Sequence, residues 1–172
     1  IISESGVLPL QSQLDEAPVP TTYNDLNQIV RRGEEAYTYD ADGNLTGIGM
    51  GSWQAKYDLE NRPVEIVQNG RSRRFAYNGA GQRTLVETGE GRRFYHHDAQ
   101  GKLLFETDQS GNLIASYLYR DAYLVARVDA SGAVLFYHFD KTGNTLALSD
   151  QAGDVIAAYG YAPQGAVTSK FG

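Results

Sequence analysis

Hydrophobic and polar positions alternate along most of the chain. In residues 111–120, "GNLIASYLYR", Leu113, Ala115, Tyr117 and Tyr119 fall on one face of an extended strand, and Ile114, Ser116 and Leu118 fall on the other. The stretches "RRFAY", "LLFET", "AVLFYHF" and "DVIAAYGY" are likewise rich in β-branched and aromatic residues. No window sustains the roughly 3.6-residue period of an amphipathic helix. The pattern predicts an all-β chain of antiparallel β-hairpin repeats without helix, in which both faces of each strand are partly apolar.

The strands are separated by a recurring corner. Asp at the start of a type I turn can bond its own backbone, and Gly three residues on accepts a positive φ, so Asp-x-x-Gly reads as a hairpin loop closed by a bulge. The pairs are Asp40 with Gly43, Asp58 with Asn61, Asn78 with Gly81, Asp98 with Gly101, Asp108 with Gly111, Asp129 with Gly132, Asp140 with Gly143 and Asp150 with Gly153. A weaker version is Asn24 with Asn27. From position 43 the glycine places recur at intervals of 18, 20, 20, 10, 21, 11 and 10 residues, one or two strands per unit. Turns without the motif are expected at Gly70, Gly89-Glu90-Gly91 and Arg120-Asp121-Ala122. Residues 1–22 carry Pro9, Pro18 and Pro20 and no such corner. They are expected to form an extended lead-in that lies along the sheet through Val7, Leu8, Leu10 and Leu14, with the repeats filling 23–172.

Composition narrows the picture further. At 172 residues the chain is long enough for one domain with a core, burying roughly 70% of its unfolded surface. The 19 glycines, in a chain that is still 41% hydrophobic, point to turns and not to disorder. A net charge of −6 argues against a general nucleic-acid or anionic-membrane binder. No apolar run approaches the roughly 18 residues of a membrane span, and no signal peptide is visible. With no cysteine, disulfides, thiolate metal sites and cysteine catalysis are excluded together. The chain opens on Ile1 and its one methionine is Met50, which reads as a piece of something longer.

The units Tyr39-Asp40-x-x-Gly43-Asn44-Leu45, Tyr57-Asp58-x-x-Asn61-Arg62 and Tyr77-Asn78-x-x-Gly81-Gln82-Arg83 resemble the YD repeats of the Rhs family. More specific is an ordered block over 137–165: Tyr137-His138-Phe139-Asp140-x-x-Gly143-Asn144-Thr145, Leu148-x-Asp150, Gly153-Asp154-Val155, Tyr159-x-Tyr161-x-Pro163-x-Gly165. It resembles the signature near the end of the Rhs core. The family includes polymorphic toxins, C subunits of insecticidal toxin complexes and teneurin shells. The resemblance implies a segment of a spiralling β-cocoon that encloses a C-terminal toxin, in a protein secreted or delivered by a bacterial secretion system. Its partners would be other fragments of the same shell and the enclosed toxin. Two departures stand out. Ala162-Pro163-Gln164-Gly165 replaces the usual Asp-Pro, and the sequence ends at Gly172, before the family's self-cleaving aspartates, so no protease residue is carried over. The repeated aromatics Tyr39, Tyr57, Tyr77, Tyr137, Tyr159 and Tyr161 would pair across strands for roughly 0.2–1 kcal/mol each, and their hydroxyls could bond the adjacent turn.

Chemistry-bearing residues are sparse. "DADGN" at 40–44 invites a calcium reading, but an EF-hand loop places Gly at its sixth position, whereas Gly43 is the fourth residue here. His96 and His97 are adjacent on a strand and face opposite sides, and His138 stands apart. Ser149-Asp150 with His138 lacks the spacing of a nucleophile elbow. Asn44-Leu45-Thr46 is a formal glycosylation triplet. Arg71, Arg73, Arg74, Arg83, Arg92 and Arg93 are a candidate partner patch, split between two faces. The reading is a structural, non-enzymatic shell element that needs no metal or cofactor. The alternative is a binding module for a glycan or cell-surface partner.

Overall fold

The computed structural model describes residues 18–162 and 165–172. Most of the expected lead-in, with Val7, Leu8, Leu10 and Leu14, lies outside the described residues, as do Pro163 and Gln164. Two compact units are distinguished, Ala17–Ile114 and Ala115–Gly172. The first carries strands β1 (Thr21–Tyr23), β2 (Ile29–Arg32), β3 (Glu35–Tyr39), β4 (Leu45–Ile48), β5 (Trp53–Tyr57), β6 (Pro63–Gln68), β7 (Arg71–Tyr77), β8 (Arg83–Thr88), β9 (Gly91–His97) and β10 (Leu103–Asp108). Each pairs antiparallel with the next. The second carries β11 (Leu113–Arg120), β12 (Tyr123–Asp129), β13 (Val134–Phe139), β14 (Thr145–Ser149), β15 (Val155–Tyr161) and β16 (Val167–Phe171), paired in the same sequential way. Among the described residues every regular element is a strand. β1 starts at Thr21, just ahead of the expected boundary at residue 23.

The expected core is not present in the usual sense. Among the described residues the buried apolar side chains are Ala55, Ala115, Ala126 and Ala162, and no large side chain is fully buried. A strand that packs only against its two neighbours leaves both faces half covered, so sequence alternation here does not sort an inside from an outside. Cross-strand pairing and the corners supply the cohesion that a second layer would otherwise give.

The corners share one geometry. The N–H of residue i donates to the carbonyl of i+4, and the N–H of i+3 donates back to the carbonyl of i, at 2.8–3.2 Å for corners opening at Asp40, Asp58, Asn78, Asp98, Asp108, Asp129, Asp140, Asp150 and Ala162. The fourth residue has a positive φ, 60° at Asn61 and 89° at Gly101 and Gly143. This is a type I turn followed by a left-handed residue, whose twist suits antiparallel strands. One Oδ1 of the leading Asp or Asn accepts from the N–H groups of i+2 and i+4, at 3.1 and 2.8 Å for Asp40 and 2.8 and 2.9 Å for Asp140. Ala162, with no such acceptor, still forms the corner through its backbone. At the opposite strand ends of the first unit, two-residue turns Asn69-Gly70 and Gly89-Glu90 close the hairpins, and Asp121-Ala122 does so in the second.

Candidate functional site

Successive corners are tied to each other by tyrosine. Tyr39, Tyr57 and Tyr77 each stand just before a corner, and their hydroxyls donate to the carbonyls of Ile29, Leu45 and Pro63 at 2.9, 2.8 and 2.9 Å. Each acceptor is the first residue after the preceding corner of the same row. In the second unit Tyr161 makes the same bond to Thr145 at 2.8 Å. Partial burial raises the Tyr57 hydroxyl above its ordinary pKa, so it stays a neutral donor. At the Asp98 corner His97 takes the tyrosine's place. Tyr137 instead lies against Phe139, with ring centroids 6.3 Å apart, and Tyr159 pairs across the strands with Lys170.

A second tie was not anticipated from sequence. The last residue of one corner reaches the left-handed residue of the next. Gln28 Nε2 donates to the Gly43 carbonyl at 3.4 Å, and Asn44 Nδ2 donates to Asn61 Oδ1 at 2.7 Å. Gln82 Nε2 lies 2.8 Å from where a β-carbon on Gly101 would stand. The signal was available as a polar residue four places after most of the corner Asp and Asn residues, Gln28, Asn44 and Gln82 among them. Gly101→Ala is therefore expected to destabilise by about 1 kcal/mol or more, from the positive φ together with displacement of Gln82. Gly101→Asn should cost less, because Asn61 already holds φ 60° in the equivalent place and accepts the neighbouring amide. Urea midpoints of the two variants compare them directly, and equal losses would show that the corner-to-corner contact contributes nothing.

The two faces of β5–β9 differ in charge. On one, the cross-strand partners Lys56, Glu65, Arg74, Glu87 and Arg92 form an unbroken row of alternating sign. Contacts along the row are 2.7, 3.2, 3.4 and 2.5 Å. Hydrogen bonds from Lys56, then Arg74 and Ser72, pull the Glu65 carboxyl down to about 2, and Arg92 lowers that of Glu87. On the other face lie Arg71, Arg73, Arg83 and Arg93 with Phe75 and Tyr95. Arg83 sits over both rings, 5.7 and 5.3 Å from their centroids. Arg93 is paired with the buried Glu106 at 2.9 Å. The six arginines thus do not form one patch, since Arg74 and Arg92 belong to the neutralised row.

Two of the three histidines, His96 and His138, make cross-strand bonds to hydroxyls. His96 Nε2 lies 3.0 Å from Thr107 Oγ1, with its ring stacked on Phe105 at 4.3 Å, and His138 Nε2 lies 2.8 Å from Ser149 Oγ. The two pairs are the same diagonal contact in two hairpins. Ser149 is 6% exposed and Asp150 is engaged in its own corner, so the Ser149–His138 pair is a lining contact and has no reachable nucleophile. Among the described residues no cluster of three His, Asp or Glu could hold a metal.

Comparison with protein families matches residues 10–170 to the teneurin YD-shell. The chain belongs to the teneurin YD-shell family. No curated protein sequence matches it. Among solved structures, a TcdB2-TccC3-TEV crystal structure shares 14% identity at a TM-score of 0.47, covering 88% of this chain and 12% of that one. A Photorhabdus luminescens Tc holotoxin pore shares 12% identity at a TM-score of 0.47, covering 89% and 12%. The chain thus spans about an eighth of those chains. Where a tyrosine precedes an aspartate corner, as at Tyr39-Asp40 and Tyr57-Asp58, the two residues have separate tasks. The aspartate shapes its own corner, and the tyrosine fastens that corner to the one before it.

Proposed function

We propose that the chain is a wall segment of a YD-repeat shell that encloses a polypeptide toxin for delivery, with no chemistry of its own. The observation that carries this is the corner-to-corner fastening. Hydroxyl, amide and charge-row contacts all run across strands, so the sheet gains cohesion by lengthening and not by folding over a core. Nearest-neighbour stabilisation of this kind suits a wall extended by repetition. Open depressions without a catalytic constellation among the described residues agree with containment. Under this reading the partners are further segments of the same shell and the cargo, and the site of action is outside the producing cell.

The test is limited proteolysis of the longest natural product that contains these residues, purified with whatever polypeptide it holds. The enclosed polypeptide should resist protease until the shell is opened by denaturant, then be degraded at the rate of the free chain. Digestion at the free rate without denaturant would sink the containment reading.

A further inference from the structure

Within β7 and β8 the arginines without an ion pair lie on one face. Arg71 and Arg73 alternate on β7 with Ser72 and Arg74, which point into the charge row through Glu65. Among the described residues neither Arg71 nor Arg73 has an ion pair or a side-chain hydrogen bond, and both are exposed. They line a depression of about 500 Å³ with Ile66, Gln68 and Asn69. Arg73 also borders an adjoining one of about 660 Å³ that contains Phe75, Arg83 and Tyr95. The Phe75 and Tyr95 rings hold Arg83 without taking up its N–H donors, which stay available for an acceptor. In a chain of net charge −6, three arginines on one face without an ion pair among the described residues, with Glu90 and Asp108 at the edge of the second depression, are the opposite of what self-neutralisation would give. The reverse face of the same strands shows that pairing was available.

We infer that this face is where the shell holds its cargo, by binding an extended acidic polypeptide segment. The inference rests on the containment reading for the identity of the partner. Residues two apart on a strand face the same way, about 7 Å apart. Alternate carboxylates of an extended peptide have the same spacing, so a segment of the form acidic-x-acidic laid along β7 meets Arg71 and Arg73 in register. Arg83, over its rings, meets a third carboxylate or a backbone carbonyl. Guanidinium forks suit carboxylates because two parallel N–H bonds reach both oxygens. The ladder face has no such vacancy, since each of its carboxylates already lies between cations.

The probe is a fluorescein-labelled peptide of alternating Glu and Ser, with a Gln-Ser peptide as control, titrated into the longest natural product containing these residues, emptied of cargo. The acidic peptide should bind in a salt-dependent manner and the control should not. Arg71→Gln with Arg73→Gln should weaken binding about tenfold or more, while Arg74→Gln, on the same strand but facing the other way, should leave it unchanged within about twofold. Without any variant, bound peptide should shield Arg71 and Arg73, but not Arg74, from phenylglyoxal. Equal loss with Arg74→Gln would overturn the site in favour of diffuse charge. Tighter binding of a sulfated oligosaccharide than of the peptide would overturn the polypeptide class. No peptide binding by the folded protein would overturn this inference and leave containment standing, because containment is judged separately by cargo protection.

Discussion

Replacing Tyr39, Tyr57 and Tyr77 together by phenylalanine is expected to lower stability by about 3 kcal/mol. Each substitution keeps the ring and removes one hydroxyl, so the loss isolates the bonds to Ile29, Leu45 and Pro63. A part-buried intramolecular hydrogen bond contributes about 1 kcal/mol net, and each broken one leaves a carbonyl at the start of a strand without its donor. In a sequential array these losses should add, because every bond joins only neighbouring corners. Urea unfolding of the single, double and triple variants provides the measurement, with the midpoint falling in steps and the slope unchanged. Tyr159→Phe is the control, since its hydroxyl has no partner among the described residues, and it should unfold with the wild-type protein. A triple variant within about 0.5 kcal/mol of wild type would mean that the rings, and not the hydroxyls, join the corners.

The fold was legible because its punctuation is local. Asp-x-x-Gly determines its own backbone path through a side-chain bond within the turn and a fourth residue that tolerates positive φ, so each corner could be read without knowledge of any partner. Even Ala162 to Gly165, which departs from the family signature, closes the same two backbone bonds. That no large side chain among the described residues is fully buried was not legible. Length and apolar content predict burial only when strands fold back over one another, and a sheet with two half-apolar faces has the same composition as a sandwich.

The ties between corners were partly legible. The tyrosines before the corners at Asp40, Asp58 and Asn78 suggested a hydroxyl bond to an adjacent turn, and the structure identifies the acceptor as the residue after the preceding corner of the row. The amide ties of Gln28 and Asn44, and the approach of Gln82 to Gly101, are not legible in the sequence, because the two sides lie about fifteen to twenty residues apart and only the register brings them together. The arginine set shows the same limit. Alternation splits Arg73 from Arg74 with certainty, but which face is neutralised depends on Lys56 and Glu65, supplied by strands far back in the sequence.

Acidification should unfold the protein between about pH 4 and pH 2, through its corners and its charge row. The carboxyls of Asp40, Asp58, Asp108, Asp129 and Asp140 are all held below the ordinary aspartate value of 3.8. The leading cause is a side-chain bond from Asn44 for Asp40, the Arg62 backbone N–H for Asp58, and bonds from Asn112, Ser131 and Thr142 for the others. Glu65 falls from 4.5 to about 2 beside Lys56, Arg74 and Ser72. Because each folded value lies below the unfolded one, the unfolded chain binds more protons in between. Stability is therefore full above the unfolded values and is lost as pH falls through the folded ones. Each group is half-buried and partly screened by solvent, so the effect comes from their number and coupling along the array. Asn78 shows how to separate titration from shape, since its Oδ1 accepts from Ala80 and Gln82 at 3.0 Å as a neutral group. Asp140→Asn should thus keep its corner, lose a little stability at pH 7, and flatten the dependence of the urea midpoint on pH below 4 by the protons of one site. A midpoint that stays level from pH 5 to about 2.5 would show that the corner carboxylates hold their turns no better charged than neutral, and that the array is fastened by its backbone and its tyrosines alone.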